Sequence, residues 1–91
     1  MAIGVRQPDN RYDFLSVEFA AGTTLERAEQ IAASVGGELR PRRRDDGKDW
    51  RARIYFTFDS LVQCSQKKDE LLSLNYPELI YVEVPKYYHL C

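Results

Sequence analysis

Ninety-one residues, 44% of them hydrophobic and 30% charged, suit one soluble globular domain and exclude a disordered tail, a coiled coil or a pair of domains. No apolar run approaches the ~20 residues of a membrane span, residues 1–12 lack the basic-then-apolar order of a signal peptide, and Cys64 and Cys91 form neither a disulfide framework nor a metal-ligand spacing, so the expected compartment is the cytoplasm. The net charge of −1 hides an asymmetry: between Leu39 and Arg53 seven cations (Arg40, Arg42, Arg43, Arg44, Lys48, Arg51, Arg53) stand against three aspartates (Asp45, Asp46, Asp49), which suits an electronegative partner or a solvated hairpin.

Residues 1–10 hold Gly4, Pro8, Asp9 and Asn10 without periodicity and read as a flexible arm. Tyr12 to Phe19 alternates, with Leu15, Val17 and Phe19 on one side and Phe14, Ser16 and Glu18 on the other, the period of a half-buried strand. Thr23-Thr24-Leu25-Glu26 fits a capping box, in which a threonine hydroxyl accepts from a free helix N–H and the glutamate reaches back. Leu25, Ala28, Ile31, Ala32 and Val35 then recur at helical spacing, and Gly36-Gly37 supplies a left-handed stop. Glu38–Arg44 and Trp50–Phe58 read as a hairpin whose turn contains Asp46-Gly47; Pro41, which cannot donate to a ladder, predicts an edge strand or an irregularity. In the third strand Trp50, Ala52, Ile54, Phe56 and Phe58 share the inner face, and Arg51, Arg53, Tyr55 and Thr57 the outer. Ser60 and Gln63 suggest a second capping box, opening a helix with Leu61, Cys64, Leu71, Leu72 and Leu74 as its apolar content. Asn75-Tyr76-Pro77 ends that helix. The last strand, Leu79–Val84, is expected to turn Ile80, Val82 and Val84 inward and Leu79, Tyr81 and Glu83 outward, before Pro85 and a tail, 86–91.

Strand, helix, strand, strand, helix, strand is the order of a split βαβ unit, and the expected fold is a ferredoxin-like α+β sandwich over residues 11–85, a four-stranded antiparallel sheet with both helices on one face. The other face needs no role in the core. It is the predicted functional surface, carrying Phe14, Ser16, Glu18, Arg40, Arg42, Arg51, Arg53, Tyr55, Tyr81 and Glu83.

Enzymatic chemistry finds little support. The one histidine, His89, lies in the tail, no Cys or carboxylate stands at a metal or dyad spacing, and Gly36-Gly37 follows a helix instead of opening one, so it cradles no phosphate. Neither cofactor nor metal is expected. Cys64 reads as a small core residue, Cys91 as an exposed thiol able to oxidise or dimerise, and Trp50 as core.

Three segments, YDFLSVEF, SVGGEL and NYPELIYVEVPKYYHLC, carry a resemblance to the subtilisin propeptide and peptidase-inhibitor family, most specifically in Pro77-Glu78-Leu79-Ile80-Tyr81-Val82-Glu83. In that family the open sheet face packs on the protease and the extended C-terminal tail enters the substrate cleft, a strand-like recognition by backbone pairing and side-chain pockets. The resemblance implies a stand-alone inhibitor or folding-helper module that contacts a serine protease through Tyr81, Glu83 and the tail residues Tyr87, Tyr88 and His89. This chain differs in its longer, arginine-rich hairpin and in Pro85 after the strand.

A second segment, Arg51-Ala52-Arg53-Ile54-Tyr55-Phe56-Thr57-Phe58, resembles the eight-residue signature of the RNA-recognition motif in its leading arginine, in Tyr55 at the stacking position and in the closing Phe58. That resemblance implies single-stranded RNA stacked on Phe14 and Tyr55, with Arg51 and Arg53 on phosphates. Ala52, Arg53 and Ile54 replace its Gly, aromatic and Gly positions, and Glu18 and Glu83 add negative charge to the same face. The expected function is therefore a non-enzymatic protein-binding module with an electronegative partner, with RNA binding, or a dimerisation or adaptor role in a homodimer, as the alternatives.

Overall fold

Alternation in the first and third strands decides which side of the sheet the helices cover. The computed structural model describes residues 12–42 and 47–85; residues 1–11, 43–46 and 86–91, among them Tyr87, Tyr88, His89 and Cys91, lie outside the described residues. In chain order the elements are β1 (Phe14–Phe19), α1 (Leu25–Ser34), β2 (Glu38–Pro41), β3 (Trp50–Tyr55), α2 (Leu61–Ser73) and β4 (Leu79–Glu83). The strands form one antiparallel sheet in the order β2-β3-β1-β4. Each helix connects two parallel strands across the one strand between them, which is the ferredoxin-like α+β arrangement.

Leu15, Val17 and Phe19 of β1 and Trp50, Ala52 and Ile54 of β3 are buried together with Ala28, Ile31 and Ala32 of α1 and Cys64 and Leu71 of α2. Trp50 is held by more than packing, because its indole N–H donates to the Thr23 carbonyl at 3.1 Å. That bond ties β3 to the start of α1. Val35, Gly36 and Gly37 close α1 in the Schellman pattern: Gly36 has φ +77° and its N–H reaches Ala33, while the Gly37 N–H reaches Ala32. Gly37 is needed for a different reason, since a Cβ there would collide with Ile54 Cγ2 and lie 2.9 Å from Phe56 Cε1.

Several boundaries depart from the periodicity. Strand β1 starts at Phe14, not Tyr12, because the Tyr12 N–H donates to Asp59 Oδ1 at 2.6 Å and its carbonyl accepts the Ser60 N–H at 3.0 Å. The same bond occupies the Ser60 N–H that Gln63 would have needed for a full capping box; the Ser60 hydroxyl half survives, accepting from the Gln63 N–H at 3.3 Å. At α1 the cap is Thr24, whose hydroxyl accepts from the Arg27 N–H at 3.0 Å, so the box between Thr23 and Glu26 does not form. Strand β3 ends at Tyr55, the last residue paired with both neighbours, although the Phe56 N–H still donates to the Asp13 carbonyl at 2.7 Å and Phe58 packs against the core and stacks on Phe56 at 5.0 Å. Strand β2 stops at Pro41 and is an edge strand, the placement proline demands.

The largest corrections concern α2 and β4. Leu61, Leu72 and Leu74 are not core residues: they are 47%, 49% and 45% exposed, and only Cys64 and Leu71 of α2 are buried. In β4 the pairing jumps from Glu18↔Tyr81 to Phe19↔Leu79, leaving Ile80 as the extra residue of a β-bulge. The bulge reverses the phase below Tyr81, so Leu79 packs on the core and Ile80 is 48% exposed, the opposite of the simple alternation.

Ile54 is fully buried and Arg51 is exposed on the other side of the same strand. We expect Ile54→Ala to lower the unfolding free energy by ~2–5 kcal/mol, because it leaves a cavity, and Arg51→Ala to change it by no more than ~0.5 kcal/mol. Gly37→Ala should cost ~1–3 kcal/mol through overpacking against Ile54 and Phe56. Urea melts of the three variants measure all three values.

Candidate functional site

The register writes three rows across the open face. Glu38 of β2 opposes Tyr55, which opposes Phe14; Arg40 opposes Arg53, then Ser16, then Glu83; and Arg51 opposes Glu18, then Tyr81, with Arg42 beside Arg51 through its backbone N–H at 3.0 Å from the Arg51 carbonyl. The structure thus brings Phe14, Arg40, Arg42, Arg51, Arg53, Tyr55, Tyr81 and Glu83 to one surface. Tyr87, Tyr88 and His89 lie outside the described residues. Glu38 is an addition to the surface. Its parity with Arg40 in the sequence already carried that information.

One end of the face is an aromatic and guanidinium cluster. The rings of Phe14 and Tyr55 lie 5.4 Å apart between centroids and tilt by 41°. Arg53 lays its guanidinium 4.4 Å from the Phe14 centroid and donates from Nη1 to the Tyr55 hydroxyl at 3.2 Å. Arg40 approaches the Tyr55 ring at 5.6 Å while keeping a loose ion pair with Glu38 at 3.6 Å. Arg53 is therefore committed on two sides, whereas Arg40, with a side chain 65% exposed, remains open to an incoming anion.

The other end carries mixed charge and is shallowly hollowed. A depression of about 460 Å³ is lined by Glu18, Arg42, Arg51, Arg53, Tyr81 and Glu83 among others. Arg51 Nε lies 3.9 Å from Glu18 Oε1, a pair weakened by water because the arginine side chain is 78% exposed. Tyr81 donates its hydroxyl to Glu83 Oε2. That bond, assisted by desolvation and by the charge of Glu83 itself, pushes the Tyr81 phenol above the ordinary tyrosine range, while Arg51 pulls the other way.

Charge is divided across the face. Among the described residues, β2, the Arg42 that follows it, and β3 contribute Arg40, Arg42, Arg51 and Arg53 against Glu38, whereas β1 and β4 contribute Glu18 and Glu83 and no cation. The sequence signal for the basic half was strong, because the arginines cluster in one hairpin. For the acidic half there was no local signal, because Glu18 and Glu83 are distant in sequence and become neighbours only through the β1–β4 pairing.

Among the described residues no group of three or more His, Cys, Asp or Glu side chains could hold a metal ion, and no helix is long and apolar enough to cross a membrane. Cys64 lies on the helix side of the sheet, its thiol donating to the Tyr12 carbonyl at 2.9 Å; burial pushes its pKa up, which leaves it a poor nucleophile. The chain matches no protein-family model, no curated protein and no solved structure.

The Tyr81–Glu83 contact gives a direct pH signature. A raised phenol pKa keeps Tyr81 protonated beyond the point where a free tyrosine ionises, so its phenolate absorbance, taken as the difference between the protein and Tyr81→Phe, should appear late in an alkaline titration. Glu83→Gln removes the acceptor's charge and should move the same signal to lower pH.

Proposed function

We propose that this chain is a non-enzymatic protein-binding module that docks its partner on the open sheet face, acting as a stand-alone propeptide-like inhibitor of a subtilisin-like serine protease. The observation that carries the reading is the composition of that face. It offers an aromatic pair on the two central strands, four arginines, and the carboxylates of Glu18 and Glu83 segregated from them on a four-stranded platform. Arginine and aromatic side chains are enriched at protein interfaces, and complementary mixed charge fixes the orientation of a docked partner more than it adds affinity. Tyr81 on the edge strand β4 is 51% exposed and stands five residues before the tail, which supports a role for it in contacting the protease. A free, buried Cys64 suits a cytoplasmic location.

Charge favours protein over nucleic acid. A phosphodiester chain laid across the strands would meet Glu18 and Glu83 after passing the arginines, and Arg53 already covers one face of the Phe14 ring. One observation supports the RNA reading all the same: Phe14 and Tyr55 are adjacent, with Arg40 at the Tyr55 ring, where two bases could stack.

Assays of peptide hydrolysis by a panel of subtilisin-like proteases separate the readings. The full chain should inhibit at micromolar concentration, removal of residues 86–91 should weaken inhibition, and Tyr81→Ala should do so without altering the fold. No inhibition across the panel, or inhibition indifferent to the tail, contradicts the proposal. Filter binding to mixed single-stranded RNA at two salt concentrations tests the alternative, for which Tyr55→Ala should lose affinity and added salt should weaken binding steeply.

A further inference from the structure

The division of charge on the open face has a symmetry of its own. Its basic half, β2 and β3, and its acidic half, β1 and β4, have equal numbers of strands on either side of the sheet's midline. A surface with that pattern complements itself under one particular two-fold rotation. We propose that, when no other partner is bound, the open face pairs with the open face of a second copy of this chain, about a two-fold axis lying between the two sheets and parallel to the strands.

That axis exchanges left and right across the sheet but keeps position along the strands. It sets β2 over β4 of the other copy and β3 over β1 of the other copy, so each row meets its own row reversed. Arg40 faces Glu83, Arg51 faces Glu18, and Tyr55 faces Phe14, each interaction occurring twice. Packed sheets whose strands run within about 30° of each other accommodate this arrangement, the twist blurring the rows without interchanging the halves. The alternative axis, in the same plane but perpendicular to the strands, stacks β2 on β2. It would lay the arginine-bearing strands β2 and β3 over the same strands of the other copy and is opposed by like charge. Only the first arrangement brings opposite charge together on both halves while joining the aromatic clusters at the centre strands. Arg40 and Arg51 have side chains 65% and 78% exposed, so both guanidiniums are placed to reach across.

This pairing occupies the surface assigned above to the protease, yet the two stand independently. A monomeric protein that inhibits would overturn the dimer alone, and a dimer that inhibits nothing would overturn the inhibitor alone.

Sedimentation velocity of the full chain across a concentration series, at low and high salt, reads the association. The expected result is a concentration-dependent dimer at low salt that weakens roughly tenfold or more at high salt, since exposed ion pairs are screened. Two charge-reversed variants then test the axis. In Arg40→Glu/Arg42→Glu the new carboxylates lie across from Arg53 and Arg51 of the same sheet, although the one at 40 gives up the exposed ion pair with Glu38 and stands beside that carboxylate, a weak, water-screened repulsion; in Glu83→Arg the new cation lies across from Ser16. Circular dichroism checks that both are folded. Each variant alone should be monomeric under conditions where the parent dimerises, and an equimolar mixture should regain the dimer, because Arg at 83 of one chain then meets Glu at 40 of the other. A parent that stays monomeric at low salt up to its solubility limit overturns the proposal. So does a dimer indifferent to salt and to both variants, which would place the contact on another surface.

Discussion

The pairing of β1 with β3 is the constraint on which the rest of the molecule depends. Six residues of β1 oppose six of β3 in unbroken antiparallel register, from Phe14↔Tyr55 to Phe19↔Trp50. Because side chains alternate along each strand, that register sends Leu15/Ile54, Val17/Ala52 and Phe19/Trp50 to the helices and Phe14/Tyr55, Ser16/Arg53 and Glu18/Arg51 to solvent. A slip of one residue would exchange the two sets, burying arginines and exposing the core. The apolar set resists that slip, with Leu15, Phe19 and Ile54 wholly removed from water. Burial of side chains of this size stabilises by ~1.5–3 kcal/mol each, against the near-neutral worth of an exposed ion pair such as Arg51–Glu18. Hydrophobic burial thus sets the register, and the charged surface is carried along by it.

The helices are fastened to this pair at their ends as much as along their faces. Tyr12 and Asp59 join the start of β1 to the cap of α2, and Asp49 Oδ1 accepts the Ala21 N–H at 2.9 Å, joining the hairpin to the turn before α1. Arg27 of α1 donates from Nε to Glu78 Oε2 at 2.8 Å and lies over the Tyr76 ring, clasping the segment that leads into β4. The hydrogen bond from Arg27 holds the Glu78 carboxyl below the usual carboxylate range. Its contribution to stability is therefore full above the ordinary glutamate pKa and is lost as pH falls through the lowered value. Such end-fastening leaves the far side of the sheet without structural duties.

How much of this was legible in the chain follows from the range of each signal. Element order, the inner faces of β1 and β3, the edge position of Pro41 and the core role of Cys64 and Trp50 all rest on local alternation or spacing, and the structure agrees with them. The exposure of Leu61, Leu72 and Leu74 was not legible, because α2 is apolar over more of its circumference than the narrow stripe, around Cys64 and Leu71, that the sheet covers. The phase of Ile80 was hidden for a different reason. A β-bulge is a property of two strands together, and nothing in LIYVE announces that Phe19 will pair with Leu79. For the open face, the arginines were visible as a cluster, but their separation from Glu18 and Glu83 into halves is a consequence of strand order alone.

The use of that face, whether against a protease or a second copy, presupposes that its aromatic cluster and arginines are truly on the side away from the helices. A nuclear Overhauser spectrum of the free protein tests this most directly. The account predicts contacts between the ring protons of Phe14 and Tyr55, and between the methyl groups of Leu15 and Ile54, with the Leu15 and Ile54 methyls also reporting residues of the helical layer such as Ile31. Contacts from the Phe14 or Tyr55 rings to the Ile31 methyls, with Leu15 and Ile54 silent toward the helices, would mean that the register is displaced by one residue and that the surface described here is the core.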